Sequence, residues 1–71
     1  MARKGKAMLL NGNFYNLTEP ISLPVLLRRL AYQPQLVAVE LNGKIIKRTD
    51  FAAVIVKADD KLEIVSFVGG G

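Results

Sequence analysis

The sequence predicts a two-layer α+β domain in which one main helix covers a mixed β-sheet. Three observations lead to this fold class. Two Asn-Gly pairs, at Asn11-Gly12 and Asn42-Gly43, each separate short β-favouring runs. Leucines three and four residues apart indicate one amphipathic helix between them, and an alternating strand follows. Because the chain has 71 residues and no cysteine, its small core must come from packing this helix on the sheet.

The first hairpin is predicted around Asn11-Gly12. Both residues tolerate the positive φ that a type I′ turn requires. We expect strands near Ala7 to Leu10 and Phe14 to Leu17. Pro20 ends the pattern, because proline lacks the N–H that a strand donates to its neighbour.

The helix is predicted to begin after Ser22, a favourable N-cap, with Pro24 in its first turn. Pro34 is expected to stop the helix after Tyr32. A helix this short is not stable alone. Its apolar face must therefore pack on the sheet, through Leu23, Leu26, Leu27 and Leu30.

The second hairpin repeats the first, with strands Val37 to Leu41 and Lys44 to Lys47 around Asn42-Gly43. Thr49 or Asp50 is expected to cap a short helical turn that carries Phe51 inward.

A tight turn is predicted at Ala58-Asp59-Asp60, before a last strand that places Leu62 and Ile64 on one face. Adjacent carboxylates can indicate acid/base chemistry or a cation site. Neighbouring side chains point apart, however, and this favours a turn role for both aspartates.

These elements follow the order β-β-α-β-β-β. The first and last strands can then pair in parallel at the centre of the sheet, as in the β-grasp, or ubiquitin-like, fold. We expect a domain over residues 8–68, a basic extension over 1–7 and a flexible glycine tail over 69–71.

Composition excludes several functions. The chain has neither histidine nor cysteine, so the commonest general base, the usual thiol nucleophile and most transition-metal ligands are missing. We expect no enzyme, no metal site and no bound cofactor. No apolar run is long enough to cross a membrane, and we expect a cytoplasmic protein with no membrane partner.

The net charge of +4 comes mainly from the amino-terminal segment, where Arg3, Lys4 and Lys6 lie. From Met8 onward seven basic residues stand against six acidic ones. We therefore expect no nucleic-acid partner. The alternative is a nucleic-acid-binding module that uses the remaining basic clusters, Arg28, Arg29, Lys44, Lys47 and Arg48.

The last strand runs into Gly69, Gly70 and Gly71. Glycine lets an extended main chain enter a narrow cleft, and Val68 to Gly71 can span about 13 Å. A terminal carboxylate becomes reactive once it is converted to an acyl adenylate. The simpler alternative is a frayed end without a role.

Three segments resemble the small sulfur carrier proteins of thiamine biosynthesis, the ThiS family. They are "MLLNGNFYNL", "LVAVELNGKIIKRTDF" and "DDKLEIVSFVGGG". The chain departs from the family's usual pattern at Ala58-Asp59-Asp60, where a glycine is common, and at Phe51, where tryptophan is common.

The resemblance implies that an E1-like adenylating enzyme uses ATP and magnesium to activate Gly71. A cysteine desulfurase or another persulfide donor then supplies sulfur, giving a thiocarboxylate that serves thiazole synthase. Gly70 and Gly71 match the family's diglycine, and Phe67, Val68 and Gly69 are the expected partner-binding residues. The related alternatives are the small subunit of molybdopterin synthase and ubiquitin-like conjugation through the same tail.

Overall fold

The computed structural model describes residues 7–67. Its main sheet has five strands in the order β2-β1-β7-β4-β5, which places the last strand at the centre. β1 and β7 pair in parallel, as the sequence predicted. The elements are β1 Ala7–Leu10, β2 Asn13–Asn16, β3 Ile21–Ser22, α1 Leu23–Arg29, β4 Val37–Leu41, β5 Lys44–Ile46, β6 Ile55–Val56 and β7 Lys61–Ser66, with 3₁₀ helices at Pro34–Leu36 and Arg48–Ala53.

The core lies between α1 and one face of this sheet. Of the predicted leucine face, Leu23, Leu26 and Leu27 are buried within α1, and alternate residues of β4 and β7 meet them. Leu30 follows the last helical residue and is partly buried against the core. Phe51 also points inward, as expected. The buried apolar residues are Met8, Leu17, Ile21, Leu23, Leu26, Leu27, Val37, Val39, Phe51, Val56, Leu62 and Ile64.

The helix begins as predicted and ends earlier. The Val25 N–H donates to the Ser22 hydroxyl oxygen at 3.4 Å. The last helical residue is Arg29, so the predicted end at Tyr32 is wrong. Ala31 adopts φ +66°, and the N–H groups of Ala31 and Tyr32 donate back to the carbonyls of Arg28 and Leu27 at 2.9 and 2.8 Å. This Schellman closure, rather than Pro34, ends the helix.

Both Asn-Gly turns have the predicted backbone. Asn11 and Gly12 have φ of +50° and +85°, and Asn42 and Gly43 have φ of +51° and +86°. Each pair thus occupies the left-handed region at both central positions, as a type I′ turn demands.

Two features of the structure were not predicted. The 3₁₀ helix that carries Phe51 has Lys47 at its N-cap without a side-chain cap bond, so neither Thr49 nor Asp50 caps it. A second, two-stranded sheet pairs β3 with β6. Its strands have two residues each, which is too few to show the alternation by which strands are recognised.

Within residues 7–67, no helix has the length and apolar character needed to cross a membrane.

Candidate functional site

The carboxyl end of β7 is the part of the described chain nearest in sequence to the glycine run. Of the five predicted site residues, Phe67 alone lies within residues 7–67, while Val68, Gly69, Gly70 and Gly71 lie outside the described residues. The Phe67 N–H donates to the Leu36 carbonyl oxygen at 2.7 Å, and the residue as a whole is 55% exposed. The backbone of Phe67 is therefore fixed while its side chain faces solvent.

The face of the sheet opposite α1 is open. Strand alternation buries Leu62 and Ile64 and turns Glu63, Val65 and Phe67 to this open face. Several large apolar side chains are exposed there, including Ile45 at 78% and Val65 at 59%. A shallow depression of about 230 Å³ is lined by Ala38, Val39, Glu40, Ile45, Glu63 and Val65. Exposed apolar surface of this kind is typical of a protein-binding site.

Two carboxylates lie within the open face. Glu40 of β4 is directly opposite Glu63 of β7 in the antiparallel register. Like charges at directly opposite positions destabilise a sheet. Neither glutamate forms an ion pair with another residue of the described chain, 7–67. The open face therefore combines apolar side chains with two adjacent carboxylates, and the alternation of β7 places Lys61 on the same face. The carboxylate pair suits a partner that presents a basic group.

The other end of β7 is held by the two Asn-Gly turns. The N–H groups of Asn11 and Asn42 donate to the carbonyls of Leu62 and Lys61 at 2.9 and 2.7 Å. In return, the Asn11 Oδ1 accepts from the Ile64 N–H at 2.7 Å, and the Asn42 Oδ1 accepts from the Lys61 N–H at 2.8 Å. Each side-chain oxygen takes the place of a backbone carbonyl that the turn directs away, so both turns extend the pairing of the central strand.

Asp60 is a buried carboxylate beside this end of β7, with 5% exposure. Its oxygens accept from the Asn42 amide at 2.9 Å, from the Lys57 backbone N–H at 2.8 Å and from the Lys57 ammonium at 3.3 Å. Burial acts to raise the pKa of Asp60. The hydrogen bonds from Asn42 and Lys57 and the Lys57 charge outweigh burial and hold this pKa below its usual value.

The predicted turn at these aspartates is confirmed, since the Asp60 N–H donates to the Lys57 carbonyl at 3.1 Å. The structural role of the Asp60 side chain was missed. Asn42 lies 18 positions before Asp60 in the chain, and hairpin spacing alone gives no signal for that contact.

The basic residues of the alternative nucleic-acid interpretation lie on separate elements. Arg28 and Arg29 are in the last turn of α1, whereas Lys44 begins β5. Arg48 is engaged within the fold, because its Nε donates to the Pro34 carbonyl at 3.1 Å and its Nη2 to the Val37 carbonyl at 3.4 Å. No pattern in the sequence indicated this use of Arg48.

One helix on a mixed sheet with parallel first and last strands defines a β-grasp protein of the ubiquitin-like class. The ThiS family model matches residues 8–71. The chain belongs to the ThiS family.

The chain is also similar to individual known proteins. The crystal structure of the thiamine biosynthesis protein ThiS from Geobacter metallireducens superimposes with a TM-score of 0.78 at 35% identity, over 92% of this chain and 99% of that one. A Pyropia yezoensis protein named "Uncharacterized protein ycf40" is 38% identical over the full length of both chains. A thiazole synthase from Magnetococcus marinus is 40% identical over 87% of this chain, and the match covers 19% of that enzyme.

Proposed function

We propose that this protein carries sulfur for thiazole formation in thiamine biosynthesis. In this proposal an E1-like enzyme adenylates the carboxylate of Gly71, and sulfur from a cysteine desulfurase or another persulfide donor replaces AMP. The resulting thiocarboxylate donates its sulfur to thiazole synthase. The observation that carries the proposal is the ThiS family match, which extends through residue 71 and so includes the glycine run.

The proposed chemistry requires little of the carrier itself. A Gly71 carboxylate oxygen attacks the α-phosphorus of ATP and releases pyrophosphate. A persulfide sulfur then attacks the acyl carbon, AMP leaves, and an acyl disulfide joins the carrier to the donor. A thiol of a partner enzyme attacks the donor-side sulfur of that S–S bond, which releases the thiocarboxylate and leaves a disulfide on the enzyme side. ATP and magnesium belong to the adenylating enzyme, and the carrier supplies a carboxylate on an extended main chain. The absence of histidine and cysteine from the sequence is compatible with this division of labour.

The exit of β7 suits delivery of that carboxylate. Phe67 is fixed to Leu36 by a backbone hydrogen bond, and the four residues after it can span about 13 Å when fully extended. The tail can therefore reach into a cleft while the folded domain stays outside. Gly70 and Gly71 would enter the adenylation site, and Val68 and Gly69 would line the approach to it.

We further propose that the open face docks on the adenylating enzyme. Ile45, Val65 and Phe67 offer apolar contact area there. Glu40 and Glu63 add a negative charge next to them. Complementary charge mainly sets specificity and the rate of encounter.

Thiazole synthase is the proposed acceptor. The Magnetococcus marinus protein of that name carries, within one chain, a segment similar to this protein. This match and the ThiS match favour the thiamine pathway over molybdopterin synthesis. The acceptor is tested by asking whether the thiocarboxylate form supports thiazole formation by thiazole synthase.

The first experiment removes Gly70 and Gly71. We expect the truncated protein to keep the unfolding midpoint of the full chain and to lose all carrier-dependent ATP–pyrophosphate exchange with an adenylating enzyme. With a persulfide donor added, the full chain should gain the mass of one oxygen-to-sulfur replacement, which fragmentation locates at Gly71. If truncation leaves pyrophosphate exchange unchanged, Gly71 is not the activated residue and the proposal fails.

A further inference from the structure

We propose that Arg48 is a positioning residue that sets the place and direction from which the glycine tail leaves the domain. The expected effect of Arg48 on adenylation rests on the proposed carrier function. The hydrogen bonds that Arg48 forms do not depend on that function.

Arg48 contacts the 3₁₀ helix Pro34–Leu36 and its C-cap. The Arg48 Nε donates to the Pro34 carbonyl at 3.1 Å, and its Nη2 donates to the Val37 carbonyl at 3.4 Å. These carbonyls lie at the first residue of the 3₁₀ helix and at its C-cap. A planar guanidinium can hold two acceptors in fixed relative positions, whereas a lysine ammonium acts as a single point charge.

Arg48 is itself well placed. It is the first residue of the second 3₁₀ helix, and Phe51 of that helix is buried in the core. The Asp50 N–H donates to the Lys47 carbonyl at 2.8 Å, which holds the turn around Arg48. The guanidinium is therefore presented from a segment fixed to the core.

The 3₁₀ helix Pro34–Leu36 also contacts Phe67, called here the root of the tail. The carbonyl of Leu36 accepts from the Phe67 N–H at 2.7 Å. This bond continues the β4·β7 pairing by one position beyond Val37 and Ser66. The position of the Leu36 carbonyl follows the 3₁₀ geometry, in which the Leu36 N–H donates to the Gln33 carbonyl at 2.9 Å.

Arg48 thus connects the core to Phe67 through Pro34, Leu36 and Val37. Adenylation requires reacting atoms at roughly 3–3.5 Å, and a displacement of about 1 Å can lower a rate by about 100-fold. Loss of the guanidinium should release the Pro34–Leu36 segment and with it Phe67. The carboxylate would then reach its reactive position less often, although Ile45 and Val65 keep their places on the docking face.

The test compares Arg48→Ala and Arg48→Lys with the matched control Lys47→Ala, which removes an adjacent exposed charge. Amide hydrogen exchange reports the local effect. Arg48→Ala should speed exchange at Val37 and Phe67 by about tenfold, the scale of one lost hydrogen bond. Exchange at Ile64, held by Asn11, should not change. Arg48→Lys should fall between Arg48→Ala and the parent, and Lys47→Ala should match the parent.

Carrier-dependent ATP–pyrophosphate exchange with an adenylating enzyme gives the functional readout. We expect Arg48→Ala to lower kcat by about tenfold or more and to raise the KM for the carrier by a smaller factor, since Ile45 and Val65 still dock. Arg48→Lys should recover part of kcat.

Three outcomes would overturn the proposal. Arg48→Ala could match Lys47→Ala in both assays, it could speed exchange at Ile64 as much as at Phe67, or it could raise KM alone. If the parent protein supports no pyrophosphate exchange, the proposed function fails. The amide exchange of Val37 and Phe67 then still decides whether Arg48 holds the root of the tail.

Discussion

The two ends of β7 differ in how they are held. Its beginning is called here the anchored end (Asp60 to Ile64). Side-chain oxygens of both Asn-Gly turns accept from backbone N–H groups of this segment, and the buried Asp60 carboxylate accepts from the Asn42 amide. At the exit end (Val65 to Phe67), one backbone hydrogen bond to Leu36 holds the last residue, and the side chains are exposed.

This difference separates stability from recognition along a single strand. The anchored end is fixed by contacts internal to the domain and offers little to a partner. The exit end contributes little buried surface and leaves apolar side chains available. A partner can therefore engage the exit end without disturbing the contacts that keep β7 in the sheet.

The largest expected effect is on the free energy of unfolding, and it should differ between two apolar residues of β7. Leu62 is completely buried and Val65 is 59% exposed. Leu62→Ala should lower the free energy of unfolding by about 2–5 kcal/mol through lost burial and a cavity. Val65→Ala should change it by less than about 0.5 kcal/mol but weaken binding to the adenylating enzyme. Urea unfolding measures the change in the free energy of unfolding, and a titration with the adenylating enzyme measures the change in binding. A large loss of stability in Val65→Ala would show that the exit end also supports the fold.

Asp60→Asn should have the next largest effect. The new amide turns a donor toward the Asn42 amide or the Lys57 N–H, and we expect a loss of about 1–3 kcal/mol at pH 7. Since folding lowers the pKa of Asp60, its contribution is present above the unfolded value of about 3.9 and is lost as pH falls through the folded value.

The stability difference between the parent protein and Asp60→Asn should therefore shrink when urea unfolding is repeated below about pH 4. Glu63→Gln, on the open face, serves as the control and should show no such loss at pH 7. If the stability difference between the parent protein and Asp60→Asn does not change with pH, the charge of Asp60 is not the cause of that difference.

A third pair of variants compares the turns. Glycine keeps the positive φ at either position and removes the side-chain bonds. Asn42→Gly loses bonds to both Lys61 and Asp60, and we expect a cost of about 1–3 kcal/mol. Asn11→Gly loses the single bond to Ile64, at about 1 kcal/mol. Urea unfolding of both variants measures their losses in the free energy of unfolding. Equal losses would show that the Asn42–Asp60 bond contributes nothing.

The smallest effect is expected at Ala31, which lies between α1 and the 3₁₀ helix Pro34–Leu36. Ala31 has φ +66°, a conformation that glycine adopts without steric cost. Ala31→Gly should raise the free energy of unfolding by about 0.5–1 kcal/mol. The matched control Ala52→Gly, in the exposed part of the second 3₁₀ helix, should not be stabilising. Thermal unfolding distinguishes the two variants, and a destabilised Ala31→Gly would contradict the strain at this position.

Sequence reasoning succeeded where a local pattern has one structural solution. The Asn11-Gly12 and Asn42-Gly43 turns, the leucine face of α1 and the inward position of Phe51 follow from φ preference and periodicity. The parallel pairing of β1 with β7 followed from the order of the elements.

The failures have a common physical cause. The Asn42–Asp60 bond and the Arg48 contacts to Pro34 and Val37 join side chains to groups far away in the sequence. The end of α1 at Arg29 depends on Ala31 in a conformation that alanine rarely adopts. Sequence spacing does not indicate the long-range bonds, and the usual preference of alanine argues against the positive φ that ends α1. Both kinds of feature therefore conflict with, or lie outside, the local preferences on which the prediction depended.

The central position of β7 also has a consequence for synthesis on the ribosome. β1 and β4 are made first, yet the strand that lies between them in the sheet is made last. A nascent chain that stops before Lys61 has two hairpins with no strand to join them, and the long-range pairing must wait until β7 has been synthesised. The open face, to which β7 contributes Glu63 and Val65, is therefore complete only after the central strand has taken its place.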